Sequence, residues 1–275
     1  MIKQLQNLPR RIYGIDFSGA KYAGKKIWIA RGTVESRKLR IEDCSQASNF
    51  LGTGNERDQC LEALCGFIAS EKDCAFGLDF PFGLPKQMVE KNNWEDFVRR
   101  FPENYPNLKK FRSICKIYRK PELKRTTDIE TKTPFSPYNL RVYYQTYYGI
   151  RDILFPLVSA DKARVLPMQS LEVGKTIIIE ICPASTLKKL WYPEKPPSYK
   201  HNTDIHREAR AQIIDKLNKT NIISIPDSVG TKALKDASGD ALDSIIAAYS
   251  TFCAYRNNFK VKYNENYSLE GYVYE

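Results

Sequence analysis

Five carboxylates stand out by where they fall in the chain. Asp16 closes the apolar run Ile12–Ile15 and is followed at once by Ser18 and Gly19 in RIYGIDFSGAK. Asp79 ends the apolar part of CAFGLDFPFGLP, and Glu180 sits near the end of KTIIIEICP. Asp240 and Asp243 open the apolar stretch SGDALDSIIAAYSTFCAY. Short apolar runs closed by turn residues read as buried strands. The crevice beyond the carboxyl ends of such strands is where open α/β sheets bind ligands. Asp240 and Asp243, spaced i, i+3, share a helix face about 5–6 Å apart at Cβ, and a divalent cation would relieve their repulsion. Carboxylates with almost no histidine or paired cysteine make a hard-oxygen site suited to Mg²⁺ or Mn²⁺. Two such ions about 3.5–4 Å apart activate water and stabilise the leaving oxygen in phosphodiester displacement.

Each of these residues also has a purely structural reading. Asp16 could close an Asx turn on its own backbone, and Asp79 could be a solvated turn residue. Glu180, costly to bury alone, could lie exposed at the strand end or pair with a nearby lysine. Asp240 could cap the final helix, with Asp243 in its first turn against the helix dipole. The functional reading gains from the repetition of one pattern in four separate segments.

The elements needed to position them follow from the hydrophobic pattern. After the first strand, Lys26–Val34 and the alternating RKLRIEDC read as a second and third strand, forming a meander. Asn55–Ser70 places Cys60, Leu61, Leu64, Cys65, Phe67 and Ile68 at helical spacing. That helix allows a crossover which sets the strand ending at Asp79 parallel to the first. Pro81 then forces the chain out of the sheet. Residues 86–170 show no clear strand signal and read as a helical insertion, with a helix over Leu140–Leu157. Asp204–Asn218 reads as a helix, Ile222–Ile225 as a short extra strand and Ser238–Tyr255 as an apolar helix. The expectation is one α/β domain over residues 1–275.

A chain of 275 residues can bury a full core. Its 43 basic against 32 acidic side chains give a net charge of +11, which favours a polyanionic partner, nucleic acid being the commonest. Between Arg99 and Arg125, ten basic residues face only Glu103 and Glu122, with Phe101, Tyr105, Phe111 and Tyr118 interleaved. That mixture suits a nucleic-acid groove with stacking faces, or else a solvated basic face over a small apolar core. The seven cysteines are odd in number and lack C-x-x-C spacing, which points to reduced thiols and no disulfide-linked partner. Two histidines, His201 and His206, exclude a three-histidine zinc site. No signal core or run of transmembrane length occurs, so the expected location is cytoplasmic, with no membrane partner.

The order of strands, helix, strand and acidic helix resembles the ribonuclease H-like fold. More narrowly, the chain resembles a domain-of-unknown-function family described as ribonuclease H-fold nucleases. The matching pieces are GIDFSGAK, GLDFPFGLP, KRTTD followed by PFSPYNLRVYYQTYYGI, IEICPASTLKKL, YK with a later REAR, and SGDALDSIIAAY. This resemblance implies a mixed five-stranded sheet in the order 3-2-1-4-5 flanked by helices. It implies metal ligands at Asp16, Asp79, Asp240 and Asp243, with Glu180 in the same cleft. It also implies phosphate contacts from the pieces holding Arg125 and Asp128, and Lys200, Arg207 and Arg210. Ser18 joins these as a substrate contact. The implied activity is a metal-dependent nuclease, an analogy of fold. Two other readings stand beside it. One is a nucleic-acid-binding module with a vestigial acidic cluster. The other is an actin-like ATP-dependent phosphotransferase, whose first phosphate loop shares the Asp-x-Ser/Thr-Gly flavour of Asp16–Gly19 but which lacks a second Gly-rich turn here.

Overall fold

The computed structural model describes residues 9–89, 93–118 and 120–275. Its strands are β1 (Arg11–Asp16), β2 (Trp28–Glu35), β3 (Lys38–Gln46), β4 (Cys74–Leu78), β5 (Ala163–Leu166), β6 (Thr176–Ile181), β7 (Ile223–Ser224) and β8 (Val273–Tyr274). They form one mixed sheet in the order β5-β6-β4-β1-β2-β3-β7, with β8 beside β6. The β1–β2 and β2–β3 pairs are antiparallel, whereas β4 runs parallel to both β1 and β6. The chain is thus α/β with helices on both faces, and the sheet is larger than the five strands expected. Two strands escaped the pattern analysis. β5 is only four residues and lies inside the segment read as purely helical, and β8 is only two. Both are held by pairing to β6, which local sequence does not report.

Strict alternation along β1 and β4 sorts the two faces. Tyr13, Ile15, Phe76, Leu78 and, from β6, Ile178 face a core shared with the helix Arg57–Ser70 and with the insertion. Ile12, Ala75, Ile177, Ile179 and Ile181 face a second core, closed by helices Pro183–Trp191, Asp204–Lys219 and Asp240–Arg256. The insertion packs on the first core as helices Trp94–Asn104 and Leu108–Ile117, each capped by an asparagine. A further helix begins at Tyr143 and passes through a π-turn at Ile150–Leu154 before ending at Ser159. Among the described residues no helix is long and apolar enough to cross a membrane.

The last long helix lies directly on the strands. A Cβ at Gly14 would overlap the Ala248 amide and the Ser244 carbonyl, and one at Gly77 would overlap the Thr251 hydroxyl. Backbone therefore touches backbone where β1 and β4 cross this helix. Overpacking such a contact costs about 1–3 kcal/mol, and the atoms facing Gly14 are backbone that cannot swing aside. Gly14→Ala should cost at least about 3 kcal/mol in urea unfolding. Gly66→Ala, on an exposed helix position with nothing near its Cβ, should instead gain about 1 kcal/mol. Equal effects at the two sites would refute the close seat of the final helix.

Candidate active site

Gly14 and Gly77 each precede an aspartate by two residues. With a side-chain period of two, Asp16 and Asp79 must leave the sheet on the face that the final helix covers. Asp16 is the last residue of β1. Asp79 stands one residue past β4, its amide still donating to the Ile15 carbonyl at 3.0 Å. The final helix starts after Gly239, whose φ of +80° is a left-handed turn, so that Asp240 and Asp243 fall in its first turn. Asp240 is not the cap. Asp236 does that work, accepting from the Ala241 amide at 2.8 Å and from the Ser238 hydroxyl at 2.7 Å. Asp16, Asp79, Asp240 and Asp243 all line one cavity of about 420 Å³ beyond the strand ends.

The cavity is electrostatically strained. Burial, then the charges of Asp243, Asp240 and Asp79, pushes Asp16 well above the ordinary carboxylate range. Burial and Asp243 push Asp79 up to about 8, and burial raises Asp240. Asp243 is nearly inaccessible and already engaged. Its Oδ1 accepts from the Tyr199 hydroxyl at 2.5 Å, and its Oδ2 meets Lys200 Nζ at 2.5 Å. For Lys200, burial works against the charge, but Asp243, Asp16 and Asp240 outweigh it and raise its pKa. Among the described residues no three histidine, cysteine, aspartate or glutamate side chains are already grouped to hold one metal ion.

Glu180 lines the same cavity from the other side of the sheet. It pairs in register with Leu78, so it shares the face of Leu78 and not that of Asp79. There its Oε2 accepts from the Phe82 amide and from Arg125, both at 2.8 Å, and its Oε1 accepts from Arg125 at 2.5 Å. Arg125 is also bidentate to Asp128, at 2.9 and 3.0 Å, and donates to the Glu270 carbonyl at 3.2 Å. Glu180, Arg125 and Asp128, expected as a catalytic acid and substrate contacts, are thus a mutually satisfied buried network. β6 is buried along its whole length, so its sequence carries no alternation from which the facing of Glu180 could be read.

The other expected contacts divide. Ser18 lines the cavity, its hydroxyl accepting from the Ala20 amide at 3.3 Å. Lys200 lies among the carboxylates rather than outside them as a phosphate contact. Arg210 is buried and spends its guanidinium on carbonyls, of Tyr199 at 2.7 Å, His201 at 3.1 Å and Leu234 at 3.1 and 3.2 Å. It positions the segment that carries Lys200. Arg207 borders a separate depression with Thr203 and Lys235, and neither histidine reaches the acidic cavity. Sequence reasoning gave no role to Tyr199, Asp236 and Glu270, nor to Lys26, Arg141 and Gln145, which line the cavity. Tyr199 falls in the YK piece and Arg141 and Gln145 in PFSPYNLRVYYQTYYGI, whereas Lys26, Asp236 and Glu270 belong to no motif.

No family model, no curated protein and no solved structure matches this chain.

The basic tract also resolves differently from the stacking groove. Phe101, Tyr105 and Phe111 are buried and cluster with Tyr147 at ring separations of 4.7–5.9 Å. They are core, not stacking faces. Arg100, Lys109, Lys110, Arg112 and Lys116 are exposed above them. Arg119, counted in that tract, lies outside the described residues, as do residues 1–8.

Two outcomes test this geometry. Removing one member of a buried ion network leaves an uncompensated charge and costs about 3–5 kcal/mol, so Arg125→Ala should lose that much in denaturant unfolding. An exposed, dispensable arginine would lose almost nothing. Asp79, at about 8 when folded against about 3.9 unfolded, gives the native state extra bound protons between those values. Its contribution is fully present below about pH 3.9 and lost as pH rises through about 8, because stability falls wherever the native state binds more protons. Melting temperature in chelator should therefore fall across this window, less steeply for Asp79→Asn. Superimposable profiles would contradict the crowding of these carboxylates.

Proposed function

We propose that the chain is a divalent-metal-dependent hydrolase of phosphodiester bonds in nucleic acid, built on a ribonuclease H-like arrangement of acidic strand ends. The observation that carries the reading is the arrival of Asp16, Asp79, Asp240 and Asp243 in one cavity from two strand ends and a helix amino terminus. Buried carboxylates crowded until their pKa values rise are a site that gains from a cation.

The donor chemistry fits Mg²⁺ or Mn²⁺. The aspartates offer hard oxygen, and the soft candidate in the cavity wall, Cys182, is held as a thiol because burial pushes it up to about 12. Asp16, Asp79 and Asp240 would hold the ion by drawing together around it, since they are not grouped as a ligand set beforehand and both oxygens of Asp243 meet Tyr199 and Lys200. A bound ion would supply Lewis-acid polarisation of water and stabilisation of the leaving oxygen. Lys26 and Arg141 line the cavity and provide charge for the phosphates flanking the scissile bond. Arg141 also borders an adjoining groove of about 240 Å³ with Arg112 and Lys116, which continues the positive track. The net charge of +11 adds salt-dependent attraction for a polyanion.

The test is cleavage of labelled DNA and RNA, single-stranded, duplex and branched, with Mn²⁺, Mg²⁺ or EDTA. Replacing a residue that merely orients a metal ligand costs about 10–100-fold. Asp16→Asn and Asp240→Asn should each lose about 100-fold or more, with melting curves that remain cooperative. Salt-sensitive binding without cleavage of any substrate would favour a non-catalytic nucleic-acid-binding protein. Stabilisation by ATP instead would favour the phosphotransferase reading.

A further inference from the structure

We infer that the ammonium of Lys200 is a built-in second cation of the carboxylate site, so that the site takes one divalent ion beside it rather than two. This rests on the metal-dependent reading above and goes further, to the number of ions and to the residue that sets it.

Three observations on separate parts of the chain support it. Lys200 Nζ stands 2.5 Å from Asp243 Oδ2 while the Tyr199 hydroxyl takes Oδ1, so neighbouring residues of one segment occupy both oxygens of that carboxylate. Among the described residues, this is the ion pair made by the four cavity aspartates. The segment is also pinned. Arg210, itself buried, donates to the carbonyls on either side of Lys200, those of Tyr199 and His201, and anchors its other nitrogens on Leu234. Finally, the stem of Lys200 is seated. A Cβ at Gly239, immediately before Asp240, would come within 3.1 Å of Lys200 Cγ and 3.0 Å of the Tyr199 ring. The lysine therefore lies across the helix start that supplies Asp240 and Asp243, instead of projecting freely as surface lysines do.

An ammonium and a divalent ion are not equivalent occupants. The ammonium neutralises one charge and donates hydrogen bonds but has no open coordination position. With it in place, Asp243 is withdrawn from the ligand set, leaving Asp16, Asp79 and Asp240. Removing the ammonium frees Oδ2 of Asp243, with Oδ1 still held by Tyr199, and restores the repulsion among all four aspartates, which a second ion would then relieve.

Calorimetric titration of the full chain with Mn²⁺ alone reads this directly. The native protein and Lys200→Arg should bind one ion per chain, and Lys200→Met two, with Mn²⁺–Mn²⁺ coupling in its paramagnetic resonance spectrum. Methionine keeps the stem length over Gly239, and Lys200→Gln serves if the methionine variant does not fold. Two ions in the native chain, or one in the neutral variants, would overturn the inference. No ion in any variant would overturn it together with the metal reading. The change from one ion to two in a protein that cleaves no substrate would sustain the inference and remove the nuclease reading alone.

Discussion

The contact of the final helix with β1 and β4 at Gly14 and Gly77 sets the position of everything else at the acidic cavity. Side chains of ordinary size would hold a helix well off a sheet. Here glycine on the strands faces backbone and small residues of the helix, including Ser244, Ala247, Ala248 and Thr251. The close seat fixes the helix along its axis and in rotation, and so fixes where its first turn ends up. Asp240 and Asp243 are delivered beside Asp16 and Asp79 by this packing, without any bond between the carboxylates. The positive end of the helix dipole, at the same place, offsets part of the cost of gathering them.

Two acidic assemblies flank the same sheet edge and differ in how their charge is met. On the insertion face, Glu180 and Asp128 share one guanidinium in a closed network that also takes in the Phe82 amide. Such networks specify geometry when every member is satisfied. The carboxyl-terminal segment joins it, since Glu270 accepts from the Lys86 and Thr126 amides at 2.8 Å and offers its carbonyl to Arg125. Insertion, sheet and chain end are thereby locked together. On the helix face, four aspartates share one half-exposed lysine. The first assembly holds the architecture, and the second retains unmet charge at the cavity beyond the strand ends.

The insertion performs a division of labour within single helices. In Trp94–Asn104 and Leu108–Ile117, aromatic side chains turn inward to extend the first core while lysines and arginines cover the outside. Interleaved aromatic and basic residues in sequence therefore separate onto opposite sides of the helix, because a period of 3.6 carries residues three and four apart to one face. Phe101, Tyr105 and Phe111 are thereby core, and the outer side carries charge.

The local pattern determined a good deal. Apolar runs closed by Asp16, Asp79 and the Ser238–Asp243 turn mark the two strand ends and the helix start, and helical spacing marks the crossover after β3. Those features depend on neighbours in the chain. Which carboxylates meet was decided by tertiary structure. Glu180 sits in a strand buried on both faces, so only its register against Leu78 turns it away from the aspartates and toward Arg125. Lys200 and Arg210 look alike in sequence as phosphate contacts, yet one pairs with Asp243 in the acidic cavity and the other spends its charge on backbone carbonyls. Residue type and spacing identify what could be charged. The packing of distant segments decides which charges are satisfied, and that sum cannot be taken along the chain.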